Sequence, residues 1–171
     1  MDLKHSEDYF VRTLLNKVKL QEIMTDKLIV VRENEPFSRV EELLRTHHIR
    51  HLPVVGEEYK LVGILTQRDL YRICPPRKDE EGNLLYDAEI LNGYILKSVM
   101  TKNPFSLSPN HTVADALLAM VDKKYGCIPI VDKYNCLVGL VTQIDVLRLG
   151  ARILREGGPG SSAGGAGTTK K

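Results

Sequence analysis

Apolar positions along this chain fall into two series that run through the same succession of periods. Leu14, Leu15 and Val18 recur at helical spacing, as do Ile90, Leu91 and Ile95 further on. Each set predicts a lead-in helix. Short apolar runs at 29–31 and 105–107 predict a strand apiece. Next, Phe37, Val40, Leu43 and Leu44 share one helical face, and so do Val113, Ala116, Leu117 and Met120. Pro36 suits the first turn of the earlier helix. Two β-rich runs close each series, 52–55 with 61–65 and 128–131 with 137–141, joined by polar turns at 56–60 and 132–136. A last helix starts near Asp69 in one series and near Asp145 in the other. The predicted order in each is β-α-β-β-α.

The two series are one sequence written twice. A shift of 76 positions lays Ile23-Met24-Thr25 on Val99-Met100-Thr101 and Pro53-Val54-Val55 on Pro129-Ile130-Val131. The same shift lays Leu61-Val62-Gly63 on Leu137-Val138-Gly139 and Thr66-Gln67-Arg68-Asp69 on Thr142-Gln143-Ile144-Asp145. It needs no gap, and upstream it still aligns Leu15-Asn16 with Leu91-Asn92. Identities at a single offset mark a duplication, and the offset defines the repeat unit.

Composition narrows the function classes. Of 171 residues, 43% are hydrophobic and 27% charged, as in an ordinary globular protein. The formal charge of +2 is spread among acids, which argues against nucleic acid as a partner. Cys74, Cys127 and Cys136 are odd in number and form no CxxC, so they read as reduced thiols. The first eight residues are polar and mixed in charge, unlike a secretory signal. No apolar run nears the ~20 residues of a membrane helix. These features predict a cytoplasmic protein. Pro75, Pro76 and the charges that follow mark a surface linker. The Gly/Ser-rich end is too poor in apolar residues to fold. The expected division is therefore an N-terminal helix at 1–22, motif 1 at 23–74, a charged linker and helix at 75–98, motif 2 at 99–155 and a disordered tail at 156–171.

The repeated residues resemble the cystathionine-β-synthase (CBS) motif. That motif has Met-Thr near a first strand, a hydrophobic-Pro-hydrophobic-Val strand, a Leu-Val-Gly-hydrophobic strand and a Thr/Ser-x-x-Asp step into a final helix. All four elements occur here twice, over roughly residues 10–155. The resemblance implies an α+β fold of two pseudo-symmetric β-α-β-β-α motifs packed sheet to sheet, with lead-in helices. It implies two clefts that in many relatives hold AMP, ADP, ATP or S-adenosylmethionine, a cyclic dinucleotide being a further candidate. It also implies a homodimer forming a four-motif disc. No attached effector domain is visible, so the expected role is a stand-alone sensor acting on a protein partner in trans. The alternative is a dimerisation or partner-binding module with vestigial clefts.

The Thr-x-x-Asp steps are the first site candidates. Thr66 with Asp69, and Thr142 with Asp145, read as capping boxes. The same helix start suits phosphate, and a carboxylate there suits ribose hydroxyls. The resemblance places Arg50 and His51 opposite Thr142 and Asp145, and Gly126 and Cys127 opposite Thr66 and Asp69. Arg68 would compensate in the second cleft, where Ile144 is its counterpart. Two unequal clefts are expected, the Asp145 one better suited to a charged nucleotide. An adenine slot would come from the margin of the core, including Ile29, Phe105 and Ile128, while Thr25 and Thr101 are weaker contact candidates. His47 and His51 stand four apart, but 49–52 leaves the helix for a strand, and no acid or Cys completes a metal set. No metal or required cofactor is expected. Catalysis finds no P-loop, GxGxxG, HExxH or GxSxG, and a Cys127–His51 pair lacks an orienting acid.

Overall fold

The computed structural model describes residues 3–156, so most of the tail lies outside it. Helix α1 (Leu3–Lys17) leads in. Motif 1 then gives β1 (Val31–Arg32), α2 (Phe37–Thr46), β2 (His51–Val55), β3 (Leu61–Thr66) and α3 (Gln67–Ile73). The joining segment forms β4 (Arg77–Lys78), β5 (Leu84–Leu85), α4 (Ala88–Asn92) and α5 (Leu96–Val99). Motif 2 follows with β6 (Thr101–Lys102), α6 (Val113–Lys123), β7 (Cys127–Val131), β8 (Leu137–Thr142) and α7 (Gln143–Glu156). The expected α+β architecture is present, with the β-α-β-β-α order complete in motif 1 and its first strand reduced to a bridge in motif 2.

Local differences have clear causes. The linker is not bare loop: Asp79 accepts bonds from Glu81 and Asn83, closing the small β4–β5 hairpin. The second lead-in is two short helices, broken at Gly93 and Tyr94. Leu91 and Leu96 are buried there, while Ile90 and Ile95 are exposed. Pro36 caps α2 from outside, with extended backbone, rather than sitting in its first turn. Of the predicted strand at 29–31 only its end pairs, Val31 beside Val54. Its counterpart shrinks to one bridge, Leu107 beside Ile130.

Each motif lends its opening to the other. Antiparallel to β3 runs β6, with Thr101 opposite Ile64, so the sheet of motif 1 has the order β1-β2-β3-β6. In the other half Thr25 stands opposite Leu140, exchanging N–H···O bonds of 2.9 and 3.0 Å. Shifting 25 forward and 140 back by the repeat offset recovers the first pairing, so the exchange is pseudo-symmetric. The helices follow. Leu91, Leu96 and Met100 are buried in the core of motif 1 with Phe37 and Leu65. Leu20, with Leu15, Val18 and Met24 packed against it, completes the core of motif 2 around Ile128 and Val141. Burying each such leucine contributes on the order of 1.5–3 kcal/mol, so neither core closes without the other motif's lead-in. A third cluster of Val55, Leu61 and Leu137 seals the seam, where Leu61 N–H donates to Asn135 O at 3.0 Å.

This crossing explains two repeated sequence elements at once. The methionine of each Met-Thr lies over the glycine of the other motif's Leu-Val-Gly strand. A Cβ on Gly63 would collide with the Met100 sulfur and come within 2.9 Å of its Cγ. One on Gly139 would do the same to Met24. Overpacking of this kind destabilises by about 1–3 kcal/mol. Gly63→Ala is expected to lower stability by that amount in urea unfolding. Combined with Met100→Ala it should cost less than the sum of the two single changes. Strict additivity would mean that the contact is not the reason for the glycine.

Candidate functional site

The two Thr-x-x-Asp steps fold as capping boxes. Asp145 Oδ2 accepts from Thr142 N–H at 2.8 Å and from its hydroxyl at 2.6 Å. Asp69 Oδ2 does the same with Thr66 at 2.9 and 2.7 Å. Capping alone marks no site, because Thr112 and the surface residue Asp115 make the same box at the start of α6. What sets Asp145 apart is its surroundings. It is 8% exposed, the one buried charged residue among those described, and it borders a cleft of about 310 Å³.

The cleft is built from both motifs. The Thr25–Leu140 pairing brings the lead-in of motif 1 over the start of α7, so Glu22, Ile23 and Thr25 form one wall. Asp145, Arg148, Leu149 and Arg152 form the other, along one face of α7. Arg148 meets Asp145 Oδ1 at 3.3 Å while its side chain stays 75% exposed. Arg152 is exposed and has no acidic partner among the described residues. In the other half Asp69 Oδ1 meets Arg72 at 3.2 Å, but Pro76 stands where Arg152 does. The Asp145 cleft therefore has two cations where its counterpart has one.

The asymmetry thus rests on residues other than those expected from sequence. Arg50 is exposed and lines a different cleft, with His48, Gln67 and Tyr86, and its carbonyl accepts from Gln67 N–H at 3.0 Å. Its backbone lies opposite Gln67 of its own motif, and it does not line the Asp145 cleft. His51 pairs with Thr66 in the β2–β3 ladder, yet its imidazole crosses to motif 2 and lies over Gly126. A Cβ on Gly126 would sit 2.7 Å from His51 Nε2. Cys127 pairs with Thr142 in the β7–β8 ladder. It is buried, which pushes its thiol up to about 12 and leaves no thiolate nucleophile. Arg68 is exposed.

The expected slot residues also divide. Ile29 packs against the core of motif 1, whereas its neighbours Leu28 and Val30 face the seam. Ile128 is fully buried in the core of motif 2. Phe105 is 44% exposed and stacks on Tyr125, rings 5.5 Å apart and inclined by 20°. One signal for the cationic wall was present in the sequence: Asp145, Arg148, Leu149 and Arg152 stand at i, i+3, i+4 and i+7, one helical face. No group of three or more His, Cys, Asp or Glu is placed to hold a metal among the described residues.

Burial and the neighbouring Arg50 charge hold the His51 imidazole below its ordinary 6.5. The fold thus keeps the neutral ring, and the unfolded chain takes up its proton first as pH falls. Stability from this source is complete above 6.5 and declines as pH drops from there toward the folded-state value. Urea unfolding between about pH 5 and 8 should show that loss, and His51→Gln should remove it. An unchanged slope in the variant would assign the effect elsewhere.

Comparison with known proteins agrees with the two-motif fold. The CBS domain family model matches twice, over residues 20–75 and 96–152. A CBS domain-containing protein of Dictyostelium discoideum is 29% identical over 145 residues, covering 85% of this chain and 99% of that protein. The homoserine O-acetyltransferase of Methanohalobium evestigatum is 25% identical over 83% of this chain, which spans only 26% of the enzyme's length. Among solved structures, CBSX2 in complex with AMP superimposes with a TM-score of 0.67 at 25% identity, covering 81% of this chain and 99% of that one. A CBS domain pair bound to 5′-methylthioadenosine and S-adenosyl-L-methionine gives 0.62 at 26% identity, covering 78% and 99%.

Proposed function

The chain belongs to the CBS domain family, and from that premise we propose that it is a regulatory module whose Asp145 cleft binds an adenosine-containing ligand, AMP, ADP or ATP before others. One observation carries the reading: a buried carboxylate with one committed oxygen and one nearly free, beside two arginines on the same helical face. Oδ2 is occupied by the cap. Oδ1 meets only Arg148, at the long distance of 3.3 Å, and is available to ribose hydroxyls. A hydroxyl bound there displaces Arg148, whose guanidinium then joins Arg152 around the phosphate. Charge-assisted bonds of this kind are about twice as strong as neutral ones. A sulfonium cation would be repelled by the same pair, so S-adenosylmethionine ranks below the nucleotides. The adenosine-bound relatives support the ligand class.

Regulation requires that the ligand bind one arrangement of the motifs better than another. The cleft meets that condition in construction, because Thr25 and Asp145 come from different motifs. In calorimetric titrations AMP is expected to bind and Asp145→Ala to abolish the heat. Arg148→Ala with Arg152→Ala should weaken AMP by about tenfold or more and leave adenosine nearly unchanged. An equal loss for both ligands would remove the phosphate role from the arginines. A flat response to AMP, ADP and ATP would remove the nucleotide reading.

The second reading, a dimerisation module, is favoured by a specific surface. Leu118 and Val121 on α6, with Ile144 and Leu147 on α7, are 54–66% exposed. One repeat earlier the same positions hold Glu42, Arg45, Arg68 and Tyr71. Apolar surface gathered on two packed helices, and absent from the twin motif, suits a second copy applied to motif 2 about a twofold axis. Light scattering after gel filtration should give a dimer, and Leu118→Glu with Leu147→Glu a folded monomer. A wild-type monomer would exclude this interface.

A further inference from the structure

We infer that motif 1 carries a second small-molecule site, separate from the Asp145 cleft, which takes a small organic anion with an apolar or aromatic body. The site is a concavity of about 280 Å³ between α2, the start of β2, α3 and the segment joining the motifs. That volume lies just below the ~300–1,000 Å³ typical of ligand pockets, so a fragment-sized occupant fits and a whole adenine dinucleotide does not. Its base is apolar, formed by Leu44 and Leu70, which are 3% and 2% exposed. Tyr86 supplies an aromatic wall.

The rim is cationic. Arg45, His48 and Arg50 line it together with a single acid, Glu41. Glu41 Oε1 already accepts from Arg45 Nε at 2.7 Å, which cancels that pair. Arg50 and His48 are left without an acidic partner among the described residues. Both are held in place by the backbone. The carbonyl of Arg50 is tied to Gln67 N–H, and His48 is kept at φ +52° by the turn that ends α2. A side chain other than glycine in that left-handed region is uncommon. Tyr86 adds no negative charge, since burial and a bond with Tyr71 raise its hydroxyl to about 12. An arginine beside an aromatic ring suits an anion with a flat body, because the guanidinium both bonds and stacks.

The duplication shows that this is not a by-product of the shared fold. In motif 2 the positions of Glu41, Arg45 and Arg50 hold Leu117, Val121 and Gly126, and only His48 has a cationic counterpart, Lys124. The two sites also share no lining residue.

Amide-resolved NMR titration of the full chain tests the proposal, with phenyl phosphate as the probe, inorganic phosphate as the body-less control and AMP as the reporter of the other cleft. Phenyl phosphate is expected to move the amides of His48, Arg50, Gln67 and Tyr86, and inorganic phosphate to bind about tenfold more weakly. Arg50→Ala and, separately, His48→Ala should each weaken the probe by about tenfold, while Arg148→Ala should not. Shifts confined to Thr25 and Asp145, affinity unaffected by both Arg50→Ala and His48→Ala, or no shift at millimolar probe would each overturn the site. Equal affinity for inorganic phosphate would overturn the apolar body. AMP is read at Thr25 and Asp145 in the same samples, so failure of the nucleotide reading and failure of this one are seen separately.

Discussion

Two short antiparallel pairings hold this molecule together, Thr25 with Leu140 and Thr101 with Ile64. Each crosses from one motif to the other. They are few hydrogen bonds, and a hydrogen bond adds only about 1 kcal/mol net. Their importance lies in what they aim. Once the Met-Thr segment lies along the partner motif's strand, Met24 covers Gly139 and Met100 covers Gly63. The preceding helices are then delivered to the opposite core, where Leu20 and Leu96 become fully buried. The hydrophobic effect supplies the energy and the crossed strands supply the address. Neither motif is a domain in its own right, since each lacks a wall without the other.

The same crossing creates the site. A strand pairing that ends two residues before Thr142 necessarily lays Thr25 beside the start of α7. A cleft shared by two motifs is therefore a consequence of how the cores close. From there the copies diverge. Motif 2 has arginines at 148 and 152 and apolar side chains on its outer helices. Motif 1 has Pro76 for Arg152, charges on its outer helices, and a basic rim around Arg50. The shared frame tolerates the exposed changes at 118, 121, 144 and 147 because those side chains lie outside the buried clusters.

Much of this was legible in the linear sequence. The offset of 76, the order of elements, the two cores and the capping aspartates all follow from local periodicity and identity between copies. What was not legible has one common cause, the direction of a side chain at a strand end. Arg50 and His51 are adjacent, and strand alternation sends them to opposite sides, so only the imidazole reaches the other motif. The run before β1 alternates in the same way, with Ile29 at the margin of the core and Leu28 and Val30 turned to the seam. A shift of one residue reverses the face, and the lead to each strand is too irregular here to count from. Helical faces were more dependable: the wall of Asp145, Arg148 and Arg152 obeys the period of α7 and needed only to be counted.

Capping and ligand binding are often set against each other as explanations of a Thr-x-x-Asp step, and this molecule shows why they need not compete. A carboxylate has two oxygens. The box uses Oδ2 alone, and in doing so it fixes the rotamer of Asp145 and points Oδ1 into the cleft. The cap at Asp115 is the same, yet that residue is exposed and lines neither cleft described above. Function at this step is therefore decided by what the crossed strands bring near the second oxygen. At Asp145 they bring the lead-in of the other motif, while α7 brings two exposed arginines. One of those arginines, Arg148, meets that oxygen at 3.3 Å, so under the proposed function ribose and guanidinium would compete for it. Under that proposal, binding of the sugar would release a cation at the point where a phosphate would arrive, coupling recognition of the two halves of a nucleotide through a single carboxylate.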